Sequence, residues 1–142
     1  MKRNEQGAAV IELALILPVL LLLTFIVTEF GRAVYQYNSI AKSVRDAVRY
    51  LAVQTPGTHI AEARSLIVYG NTAGVGTPLA PGLTLAHVAT PTWQAAGATP
   101  AINTVTITVT GYTFQSLFGS AFGVNLGNFN YSDISATMRA PS

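Results

Sequence analysis

The chain has 142 residues, enough for one small domain and an anchor; half of them are hydrophobic and only 10% are charged, which is greasier than an average soluble chain. A net charge of +2 spread over so few groups gives no nucleic-acid footprint. The absence of cysteine excludes disulfides, thiolate catalysis and thiolate zinc sites.

Lys2 and Arg3 precede a run in which, from Ala8 to Thr28, Glu12 is the sole charge. As a helix that run covers about 31 Å, close to the thickness of a hydrocarbon core. The basic end is expected to stay cytoplasmic and the rest to be exported. A conventional signal peptide would have a shorter apolar core and a small-residue exit, whereas here the run passes straight into TEFGRAVYQYNSIA. A plain single-pass anchor fits the length and leaves Glu12 without a purpose. Pro18 removes one helical hydrogen bond and predicts a kink between Leu15 and Leu22.

Beyond Thr28 the all-round apolar pattern becomes one-sided. Phe30, Val34, Tyr37, Ala41, Val44, Val48 and Leu51 recur at steps of four and three, a helical stripe with Arg32, Lys42, Arg45, Asp46 and Arg49 largely opposite it. Lys42 and Asp46 are spaced to pair, as are Glu29 and Arg32 at the lipid boundary, where a headgroup contact for Arg32 is the alternative. One helix is expected from about Ala8 to Val53, stopped by Pro56 and Gly57. The stripe either carries the following domain or forms a short coiled-coil seam, and the domain's need for a packing surface favours the former.

A second, short helix is expected over His59–Gly70, and a glycine-rich loop over Gly70–Gly82 that lacks the preceding strand and the lysine of a phosphate loop. Three strands are expected: weakly over Leu83–Thr90, then over Ile102–Phe114 with a bulge at Gly111 where the apolar phase flips, and over Asp133–Ala140. Trp93 falls in a Thr/Pro/Ala-rich loop, and FGSAFGVNLGNFNY reads as a connection bearing exposed or partner-facing aromatics. His59 and His87 stand alone, no serine has a hydrolase elbow, and the Asn130 sequon is incidental. No catalytic set, metal or cofactor is expected.

The stretch GAAVIE, Gly7 to Glu12, resembles the cleavage site of prepilins, in which a peptidase cuts after glycine and ahead of an apolar run. With QGAAVIELALILPVLLLL, the helix TEFGRAVYQYNSIAKSVRDAVRYLA and a last strand ending SATMR, the chain resembles the TadE-like family, minor pilins or pseudopilins of Tad-type (Flp) pilus systems. The first 53 residues carry the likeness; the rest follows only its helix-then-strands order.

The resemblance implies an α+β, pilin-like fold with residues 1–7 as leader, 8–28 as transmembrane and assembly helix, 29–53 as amphipathic helix and 54–142 as an exported domain of about three antiparallel strands. It implies processing between Gly7 and Ala8 by a prepilin peptidase, and an assembly role for Glu12, paired with the N-terminus of a neighbouring subunit. It also implies other pilin or pseudopilin subunits, the Tad assembly machinery and inner-membrane lipid as partners, with secretion of adhesive fibres as the setting. Major Flp pilins are usually shorter, which favours a minor role, and a domain-bearing major subunit stays open. So does an uncleaved single-pass module that binds something on the outer side of the inner membrane.

Overall fold

The protein is described by a computed structural model covering residues 2–121, 123–125 and 127–140. The expected α+β architecture is present: a long N-terminal helix packs on a three-stranded antiparallel sheet.

Helix α1 (Lys2–Leu51) is 50 residues long, about 75 Å at 1.5 Å per residue, and runs unbroken through Pro18. It starts six residues earlier than expected, because Lys, Arg, Glu and Gln are good helix formers and the lone Gly7 costs only about 1 kcal/mol. Gly57 (φ 83°) and His59 (φ 55°) turn the chain back. Helix α2 (Ile60–Tyr69) then lies on α1 with Ala63, Ile67 and Val68 buried, and closes on Gly70 at φ 72°.

The expected strand over Leu83–Thr90 is absent. Leu85–His87 form a single 3-10 turn, in which the Thr84 backbone N–H donates to His87 Nδ1 at 3.1 Å. Those local bonds compete with a ladder, and only Val88 bridges to Val109. The edge strand is instead β1 (Thr92–Ala96), in the stretch expected to be a loop; its single large apolar residue, Trp93, gave no alternation to read. The sheet order is β1, β2 (Ile102–Val109), β7 (Ile134–Arg139). Trp93 stands opposite Val105, Val105 opposite Met138, and Val109 opposite Ile134.

This register places Val105, Ile107, Val109 and Ile134 in one core with Ile40, Val44, Val48 and Leu51 of α1 and Ile67 of α2. The other face carries hydroxyls that bond across the strands, Thr106 to Thr137 at 2.7 Å and Thr108 to Ser135 at 3.1 Å.

At Gly111 (φ 66°) the phase flips as expected, burying Tyr112 and Phe114. The flip is a break, not a bulge. The chain leaves the main sheet, and β3 (Thr113–Phe114) pairs with β6 (Phe129–Asn130) in a separate ribbon. Between them β4 (Ser120–Ala121) and β5 (Val124–Asn125) form a small hairpin.

The buried face of α1 departs from the expected stripe in its upper part. Val44, Val48 and Leu51 are buried, but Phe30 is 71% exposed, and Val34 and Tyr37 are exposed too. The line that enters the domain is Glu29, Ala33, Gln36 and Ile40, about one residue earlier on the helix. Two of those four are polar, so an apolar count could not find them. The spaced pair Lys42 and Asp46 forms no ion pair, and both side chains are exposed.

Candidate functional site: the apolar half of the helix and its junction with the domain

Among the described residues one helix is long and apolar enough to cross a membrane, and none of its most apolar window is covered by the domain. Val10, Ile11, Leu13, Leu15 and Leu20 all face outward. In water this surface would be untenable; in lipid it is the expected state, provided every polar group is met internally.

Only three side chains between Ala8 and Thr28 are polar. The Thr24 hydroxyl donates to the Leu20 carbonyl at 2.9 Å and the Thr28 hydroxyl to the Thr24 carbonyl at 2.8 Å, so both are satisfied one turn back. Glu12 is exposed and makes no hydrogen bond or ion pair with the described residues. It sits one turn beyond Ala8, on the same side of the helix. Gly7 lies inside α1, and a Cβ added there would meet nothing within 4 Å.

The second acid of the helix is handled differently. Glu29 is 6% exposed. Its Oε1 takes a charge-assisted bond from Arg32 Nη1, and its Oε2 accepts the Leu117 backbone N–H at 3.1 Å. The i, i+3 pairing with Arg32 was legible; the loop at Leu117 was not, because it arrives from a distant part of the chain. Arg32 also lies over the Phe114 ring, 5.4 Å from its centroid. One turn toward the N-terminus, Phe25 stacks on Phe118 at 4.6 Å.

Further along α1 two tyrosines fasten the domain. Tyr131 donates its hydroxyl to the Ala33 carbonyl at 2.6 Å. The Tyr112 hydroxyl lies 3.0 Å from the Gln36 side-chain amide and 2.9 Å from the Pro81 carbonyl. A phenol has one proton, so both contacts are met when Pro81 takes it and the Gln36 amide turns its N–H to the phenol oxygen. Burial pushes the Tyr112 phenol up and, with Tyr112 beside it, pushes the Tyr131 phenol up to about 12, which keeps both protonated as donors.

The two histidines lie away from this junction's acids. His87 accepts from Thr84 and packs edge-on against Tyr112, and His59 Nδ1 is 3.5 Å from Glu62. Among the described residues no group of three or more His, Asp or Glu side chains converges as a metal site would.

A family model described as TadE-like protein matches residues 7–49, the stretch from Gly7 to the last turn of α1. The match bears out the resemblance carried by the N-terminal residues. It stops before α2 and the sheet. No curated protein and no solved structure matches the chain.

Proposed function

We propose that this chain is a structural minor pilin or pseudopilin of a Tad/Flp-type pilus, made as a precursor and cut between Gly7 and Ala8 by a prepilin peptidase. Its Lys2 and Arg3 end stays cytoplasmic, its domain lies outside the inner membrane, and its role is assembly, not catalysis. The observation that carries this reading is Glu12: of the three polar side chains in the apolar run it alone has no intrachain partner among the described residues. A carboxylate in lipid is costly unless paired. Cleavage would expose a cationic amine at Ala8, and the amine of a neighbouring subunit would meet the acid, favouring a registered stack of helices. The first turns of the mature helix add a favourable dipole.

The test uses two variants in the native host. Gly7→Ala fits the helix sterically, so a block in processing reads on the peptidase and not on folding. We expect it to accumulate uncut. Glu12→Ala should be cut normally and be depleted from sheared fibres. Normal processing of the first variant, or undiminished fibre incorporation of the second, would overturn the respective assignment. Wild-type chain found uncut and confined to membranes would favour the anchored binding module; wild-type chain as the main fibre component would favour the major subunit.

A further inference from the structure

The membrane-facing tip of the domain is tied to the helix at a definite height. Leu117 N–H is held by Glu29, and the Phe118 ring lies on Phe25. At 1.5 Å per residue Phe25 and Glu29 are about 26 and 32 Å from Ala8 along the axis. A hydrocarbon core is about 30 Å thick. The loop is therefore alongside the outer edge of the span, not above it.

Its surface suits that position. Leu117 is 70% exposed and Phe129 is 47% exposed. Phe129 and Phe114 line a shallow, mostly apolar groove with Ile26 and Phe30 of the helix, the one acid in its lining, Glu29, being paired with Arg32. Between Arg64 and Asp133 the chain has no Asp, Glu, Lys or Arg, so this tip enters the headgroup layer without burying an unpaired charge. Exposed Leu and Phe side chains are the kind that interfacial segments bury at the headgroup–acyl boundary.

We propose that Leu117, Phe118, Phe129 and Phe30 form a foot that inserts into the headgroup–acyl boundary of the same bilayer the helix crosses, seating the domain on the membrane. The occupant of the apolar groove is lipid, because the helix on which the groove is built delivers it to the lipid boundary. This rests on reading Ala8–Thr28 as a membrane span.

The chain's one tryptophan makes the test direct. Trp93 lies beside Pro56, past the far end of α1, and its buried Nε1 has no partner among the described residues, so Trp93→Phe removes an unmet donor. In that background Leu117→Trp and, separately, Phe129→Trp place the sole tryptophan, excited selectively over the tyrosines, in the foot, and Leu15→Trp places it in the span. Each full chain is reconstituted at low density in vesicles of phosphatidylethanolamine and phosphatidylglycerol containing lipids spin-labelled near the headgroup or at the acyl terminus. The foot probes should emit to the blue, be quenched by the headgroup-proximal label and resist iodide. The Leu15 probe should be quenched by the acyl-terminal label, and wild-type Trp93 by neither.

Foot probes quenched by iodide and untouched by lipid labels would overturn the foot while leaving the span intact. Foot probes shielded from both would place a protein neighbour there and equally overturn it. A Leu15 probe untouched by either lipid label would overturn the span and the foot together.

Discussion

Glu12 and Glu29 lie on one helix and meet different fates. Glu29 is desolvated by the domain and compensated by Arg32 and the Leu117 amide; Glu12 faces outward with no partner among the described residues. Replacing Glu29 by Ala strips two donors of their acceptor, and hydrogen bonds to charged groups are worth about 1.5–3 kcal/mol. We expect Glu29→Ala to destabilise the full chain in micelles by about 2 kcal/mol and to speed amide exchange at Leu117; unchanged exchange there would contradict the tether. Tyr131 gives a pH signature. Its folded pKa, about 12, lies above the ordinary phenol value of 10.0, so its contribution is complete below the ordinary value and is lost as pH climbs through the interval to about 12. Melting temperature should fall over that interval, and Tyr131→Phe should flatten the fall. The acids at 12 and 29 could both be picked out of the sequence, since charge in or beside an apolar run stands out. The tyrosine clasps could not, because their partners are a carbonyl and an amide from distant segments, and such groups leave no periodic trace.

At the scale of elements, long periodic segments were legible and short local ones were not. The lower stripe of α1, the second helix, and the alternation of β2 and β7 follow from burial on one face, which writes a period of 3.6 or 2 into the residues. The upper stripe was misplaced by about one residue because Phe30, Val34 and Tyr37 look like core, while the side chains that do enter the domain include Glu29 and Gln36, stabilised by hydrogen bonds. LTLAHVAT has strand composition but folds through the Thr84–His87 turn, and TWQAA lacks alternation yet pairs with β2 along its length. Gly111 is where periodicity and backbone agree: its φ of 66° lets the chain leave one sheet and enter another ribbon. A Cβ there has open space, so Gly111→Ala isolates the conformational cost, about 1–2 kcal/mol for a left-handed residue. Denaturant unfolding of the full chain should register that loss, and an unchanged midpoint would mean the turn can be made another way.

At the scale of the molecule, one element serves two environments. From Ala8 to Thr28 α1 is apolar on every side but for Glu12 and two threonines, and its most apolar window is uncovered, as lipid requires; the second half is covered on one side by a sheet whose far face is hydroxylated. The join between them is the Glu29 tether and the Phe25–Phe118 stack, and both regimes hold only if the chain beyond Ala8 stays in one piece. A disposable signal cannot include the helix on which the domain packs; under the proposed processing the cut falls upstream of it, between Gly7 and Ala8, where the new amine would offer Glu12 a cationic counterpart. The most direct measurement is the intact mass of the chain recovered from cells with an active prepilin peptidase. The account predicts a mature protein beginning at Ala8. A chain that still begins at Met1 would contradict it.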